Sequence, residues 1–292
     1  IFSKKLNKNR TTIQKNEIHE KENFPSTYYL VSFDVNEFKT LLNQKAKRRQ
    51  QKIQLPNSNG GFSDFVIKEA SNFETALSEK FPTIKSYTAQ GITDPTAVAK
   101  ISIGTDGFHA VVFSGIEETL YVDPYTKDNE ILITYKRNDL ASNKDPFNCQ
   151  VEAFSRRTNT QENTLQNAND GKLRTFRLAL ACSGEYAQFH LANQGVSPTA
   201  TVADKKAAVL SAMNTTMTRV NGVFEKDLSI TMVLVATNDV IIFLDPDSDG
   251  ITEGDPSEMI DEVQVICDAQ IGTNNYDIGH VFSVEGGGLA GL

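Results

Sequence analysis

The sequence predicts an α+β protein in two parts: a mainly antiparallel β unit over residues 26–140, then, beyond a linker at 141–172, an α/β unit over 173–292 with a mostly parallel twisted sheet and two helices. Three observations predict it. Through the first part, apolar residues alternate in short runs broken by turn residues, the period of half-buried strands. Between Ala141 and Lys172 the pattern dissolves, and "SRRTNTQENTLQNANDGK" is rich in Asn, Gln and Thr, a linker composition. From Leu173 it returns as strand, long helix, strand, loop, helix, strand, an order that favours parallel pairing.

Residues 1–25 are polar and charged without a period and read as a loose leader. Tyr28 to Phe33 alternate as a strand, and a helix follows with Asp34 as N-cap and Glu37 three residues on. The runs Lys52 to Leu55 and Phe62 to Lys68 are joined by "PNSNGG", where Asn59-Gly60 suits the positive backbone angles of a hairpin turn. "AKISIG" and "FHAVVFS" repeat the arrangement around "TDG", and "TLYVDPY" and "EILITYK" add further strands. In the second part "LRTFRLALACSGEY" alternates as a strand. Leu210, Met213, Met217 and Val220 then mark one face of a helix. "LSITMVLVATND" is near-continuously apolar, as in a strand buried on both faces. An acidic loop, a helix from about Met259 to Ala269 and the strand "YDIGHVFS" complete the series.

Composition bounds the function. Hydrophobic residues at 39% and charged residues at 23% are globular values. The net charge of -8 disfavours a nucleic-acid partner, which needs clustered cations. The basic runs Lys45 to Lys52 and Ser155 to Arg157 lack interleaved aromatics; they read as a solvated helix end and a protease-accessible loop. The longest apolar runs, Ile230 to Ala236 and Val240 to Leu244, fall far short of the ~20 residues that span a bilayer, so no membrane span is expected. The first residue is Ile1 and not Met, which points to a processed or cut chain. Cys149, Cys182 and Cys267 are too few and scattered for a disulfide scaffold or a zinc knuckle.

"FRLALACSGEYAQFH", "AVLSAMNTTMTRVNGVFEKDLSITMVLV" and "NNYDIGHVFSVEGGGLAGL" resemble the first half of the catalytic domain of reprolysin-like zinc metallopeptidases, the M12B-type metzincins of secreted bacterial proteins. "LPNSNGGFSDFVIKEA", "EKFPTIKSYTAQGITDPTAVAKISIGTDGFHAVV" and "YVDPY" resemble the pro-region that precedes that domain, so the resemblance spans about residues 28–292. It implies a pro-domain at 26–140, an activation linker at 141–172 and the N-terminal part of a catalytic domain at 173–292. The implied protein is a secreted or cell-surface zinc endopeptidase made as a latent precursor, acting on protein or peptide substrates through a metal-activated water. Maturation cuts are expected between Ser155 and Leu173, favoured by Arg156 and Arg157. An intramolecular contact between pro-domain and catalytic domain is expected as well.

The family's H-E-x-x-H-x-x-G-x-x-H motif is not in the sequence. The four histidines, His19, His109, His190 and His280, never fall within four residues of one another. The catalytic residues are therefore expected beyond Leu292, and this chain by itself is expected to hold no catalytic zinc and to be inactive. A reading of a different class is a non-catalytic binding or adhesion module on a protease-derived scaffold.

Individual residues carry further readings. The resemblance makes Cys149, just ahead of the linker, a candidate thiolate that blocks zinc; a plain structural cysteine is the other reading. Cys182 and Cys267 read as small buried core residues, with pairing to each other left open. Asp245, Asp247 and Asp249, followed by Gly250, repeat the first half of an EF-hand loop and suggest a weak calcium site, against an acidic loop that caps the next helix. His280 reads as a hydrogen-bonded structural histidine. In Gly286, Gly287, Gly288, Leu289 and Ala290 the resemblance places a cleft edge to which a substrate strand could add.

Overall fold

The computed structural model describes residues 2–6, 13–14, 17–19, 23–43, 51–141 and 170–285. The architecture is α+β, with a nine-stranded antiparallel sheet and a separate three-stranded parallel sheet.

The large sheet runs in the order β1-β2-β9-β8-β7-β6-β5-β4-β3. Its strands are β1 (Phe2–Leu6), β2 (Tyr29–Phe33), β3 (Gln51–Pro56), β4 (Phe62–Glu69), β5 (Lys85–Gly91), β6 (Val98–Gly104), β7 (Gly107–Phe113), β8 (Leu120–Pro124) and β9 (Ile131–Lys136). The segment read as a loose leader thus contains an edge strand, with Phe2 opposite Phe33. The sheet curls until its ends approach: the Phe2 ring lies 5.1 Å from Phe33 and 6.4 Å from Phe62. Helix α1 (Val35–Asn43) starts where Asp34 accepts the Glu37 N–H, and it drives the fully buried Phe38 against Phe33 and Phe108 inside the curl. Burying such a ring contributes on the order of 2–3 kcal/mol.

The β3–β4 turn differs from the two-residue form expected at Asn59-Gly60. Asn57 closes a longer loop by accepting the N–H groups of Asn59 and Gly61 on its side chain, and of that pair only Gly60 takes a positive φ. An asparagine that can build an Asx turn competes successfully with the tight hairpin.

The small sheet has the order β11-β10-β12, from β10 (Arg174–Cys182), β11 (Ile230–Leu234) and β12 (Ile278–Phe282), all parallel. Three helices accompany it rather than the two expected. Ser183 caps α3 (Gly184–Asn193), a short helix whose start the strand-like run into Tyr186 concealed. Thr201 caps the long α4 (Val202–Leu228), which ends at Ser229 in the left-handed region. Asp255 caps α5 (Pro256–Gln270), with Pro256 at the first helical position, where no N–H is needed. Residues alternate along β10: Leu178, Leu180 and Cys182 pack with the α4 residues Val209, Met213 and Met217, while Ala179 and Ala181 pack with Val263 and Cys267 of α5.

The two parts share a core. Phe73, Leu77 on α2 (Thr75–Lys80), Phe81 and Ile84 cluster with Leu178, Met213 and Leu234. Residues 72–74 run parallel to the outer edge of β11: the Leu234 N–H donates to Asn72 O at 2.7 Å and the Glu74 N–H to Leu234 O at 2.9 Å.

Candidate functional site

The acidic loop is built for capping. Asp245 accepts the Asp247 N–H and the Ser248 hydroxyl, starting a 3-10 turn at Pro246–Ser248. Asp249 is buried and accepts the N–H groups of Gly184 at 2.7 Å and Ile251 at 2.9 Å, which ties the loop to the start of α3. Asp247 is exposed. Among the described residues no three His, Cys, Asp or Glu side chains converge as a metal site, so the structure gives the expected calcium site at Asp245, Asp247 and Asp249 no support. The physical reason is that the carboxylate oxygens of Asp245 and Asp249 already accept the N–H groups of Asp247, Gly184 and Ile251 and the Ser248 hydroxyl.

Cys182 and Cys267 are free and buried, as core residues, and lie on opposite faces of β10, so they do not pair with each other. Burial pushes the Cys182 thiol up to about 12 and the Cys267 thiol up to about 11. Neither is expected to react with iodoacetamide at pH 8 unless the protein is first unfolded; mass spectrometry of peptides from native and urea-treated protein checks this. His280 stands on the exposed side of edge strand β12 with its ring 5.6 Å from Phe282. Among the described residues it makes no hydrogen bond, which departs from the structural role expected for it. Cys149, Arg156, Arg157, Gly286, Gly287, Gly288, Leu289 and Ala290 lie outside the described residues.

The densest polar chemistry lies where α4 crosses the outer face of the large sheet. On β6, Ala99, Ile101 and Ile103 point into the curl, and the alternate residues Lys100, Ser102 and Gly104 face α4. Glycines set the spacing at both ends: a Cβ on Gly104 would meet Ser211 Oγ at 1.9 Å, and one on Gly222 would meet the Phe113 ring at 2.7 Å. Between them the helix offers small polar side chains. Ser102 and Thr215 share a hydrogen bond at 2.9 Å, and Lys100 pairs with Glu225. Asn72 donates to Asn214 Oδ1 at 3.0 Å and to Thr218 at 2.8 Å, and accepts from Asn221.

At the centre of this seam lies His109 on β7. Its Nδ1 is 2.7 Å from Asp123 Oδ1, and its Nε2 is 3.2 Å from the Asp106 carbonyl oxygen and 3.4 Å from Asp106 Oδ2. The helix grips the same two carboxylates. Ser211 and Thr215 donate to Asp106, and Arg219 pairs with Asp123. Tyr135 on β9 donates to Asp123 at 2.6 Å, and Tyr121 stacks on Tyr135 beneath the Arg219 guanidinium.

Burial opposes the charged form of the His109 ring, but Asp106 and Asp123 outweigh it and raise the ring to about 9. Burial alone would raise Asp106; the imidazolium and the hydroxyls of Ser211 and Thr215 hold it below the usual carboxylate range. The Tyr135 phenol is raised, first by burial and then by the Asp123 charge. His109 had no role assigned from the sequence, because its carboxylate partners lie in the preceding turn and on the next strand, and the helix that grips them is about a hundred residues away.

Residues 210–292 match the family model for the metallo-peptidase family M12B, reprolysin-like. The match begins within α4 and takes in β11, α5 and β12, less than a third of the chain. It supports a peptidase, and with it a protein or peptide substrate. No curated protein matches the chain.

Proposed function

We propose that the chain is part of the precursor of a secreted or cell-surface zinc-dependent endopeptidase, with residues 173–292 forming the first portion of its catalytic domain and residues 26–140 its pro-segment. The observation that carries the reading is the reprolysin-like match at 210–292, which falls on a parallel α/β unit of the kind such a domain requires. The composition of residues 141–172 supports a cleavable linker between the two parts.

The described residues do not form a catalytic zinc centre. The four histidines are dispersed along the chain, and no metal-binding group forms among the described residues. We place the zinc ligands and the general base in sequence that follows Leu292. The contribution of the described residues is a packed scaffold: β10 and β12 present their C-terminal ends together, at Cys182 and Phe282.

The test starts with the reading frame beyond Leu292. Translation is expected to give the H-E-x-x-H-x-x-G-x-x-H arrangement, and the protein purified with that extension is expected to retain about one zinc per chain and to cleave peptides. An extension without the motif, or a protein that keeps no zinc, would sink the reading.

A further inference from the structure

We propose that the N-terminal sheet is held on helix α4 by a proton-dependent latch at His109, closed while its imidazole is charged and loosened when the ring gives up its proton.

The geometry requires the charged ring. Both nitrogens face oxygens that can only accept: Nδ1 the Asp123 carboxylate, Nε2 the carbonyl and carboxylate of Asp106. A neutral imidazole has one N–H, so one of these contacts would become a lone pair against an oxygen. The charge count agrees. Asp106 brings a part-buried carboxylate and Asp123 a buried one, Arg219 brings one cation, and His109 supplies the second. Loss of the proton removes the cation beside the part-buried Asp106 carboxylate and leaves that charge to the hydroxyls of Ser211 and Thr215, a costly exchange where water is largely excluded.

The groups around the ring and its two carboxylates come from every element packed there. Asp106 lies in the β6–β7 turn, Asp123 and Tyr121 on β8, Tyr135 on β9, and Ser211, Thr215 and Arg219 on α4. His190 and Tyr186 on α3 sense the Asp106 charge from farther off. Lys100 and Glu225 balance each other along the seam. Asp106 and Asp123 each bond to α4 and to His109 at once, so deprotonation strikes the contact between sheet and helix. The inference depends on this contact and not on the peptidase reading.

The sign follows from the raised value. The stabilisation is fully present below the ring's ordinary value of about 6.5 and is lost as pH rises through about 9.

Two measurements on the full chain test the latch. Imidazole NMR across pH 6 to 10 should show His109 doubly protonated at pH 7.5 and titrating near 9; a neutral ring at pH 7.5 overturns the proposal, and this needs no variant of the latch. The second installs Ser102→Cys, a thiol buried beneath α4, in the wild-type background and in the double variant Asp106→Asn/His109→Gln, which keeps the Asp123–Arg219 pair. Between pH 7 and 9.5, labelling at position 102, located by mass spectrometry, should accelerate at least about tenfold more in the wild-type background. Equal acceleration in both backgrounds overturns the proposal.

Discussion

Asn221→Ala is expected to destabilise the protein by about 3–5 kcal/mol, because it orphans three buried polar groups at ~1–3 kcal/mol each. Asn221 Oδ1 accepts the Met232 N–H at 2.9 Å, and its Nδ2 donates to Met232 O at 2.8 Å and to Asn72 Oδ1 at 3.1 Å. The side chain therefore acts as a neighbouring strand on the outer edge of β11, where the 72–74 segment covers only Leu234. Urea unfolding followed by circular dichroism measures the loss. Val223→Ala, at an exposed position on the same helix, should stay within about 0.5 kcal/mol. A loss under about 1 kcal/mol for Asn221→Ala would mean that water replaces the side chain.

Gly184→Ala sets two effects of opposite sign against each other. Alanine in place of glycine in a helix is worth up to about 1 kcal/mol of stability. Here, however, a Cβ would lie 2.2 Å from Pro246 N and 2.5 Å from Asp245 C, both backbone atoms that cannot swing away. Moving the loop would also pull Asp249 from the Gly184 N–H. Overpacking wins, and the variant is expected to lose about 2–3 kcal/mol with a lowered melting temperature. Gly61→Ala is the contrast: its nearest neighbour is the Asn57 side chain at 3.5 Å, so little change is expected. A stabilised Gly184→Ala protein would show that propensity governs the site and that the loop packs less tightly than described.

Much of the fold was legible because it is local. The alternation of Phe62 to Lys68 and of Ala99 to Ile103 gave strands, and Asp34 stands at the cap of α1. Leu210, Met213 and Met217 marked the face of α4 that meets β10. A second stripe on that helix went unread: Ser211, Asn214, Thr215, Thr218 and Asn221 repeat at helical spacing and are buried. The signal was available, since no charged residue occurs between Lys206 and Arg219, and a helix face open to water carries charges.

The candidate site was less legible than the fold. His109 gains its chemistry from Asp106, Asp123 and Arg219, which no short motif connects. Asp245, Asp247 and Asp249 suggested a cation by spacing alone, whereas the N–H groups that occupy Asp249 belong in part to Gly184, distant in sequence.

The sequence by itself determined where most strands and helices form and which apolar side each of those buries, since periodicity and capping act within a few residues. Only the tertiary structure decided what covers the other side. Lys100, Ser102 and His109 alternate with core residues as solvent-facing positions do, and α4 lies over them. Polar side chains tolerate burial only when partners from elsewhere in the chain meet their hydrogen bonds and charges, and partners brought together by folding leave no pattern in the local sequence.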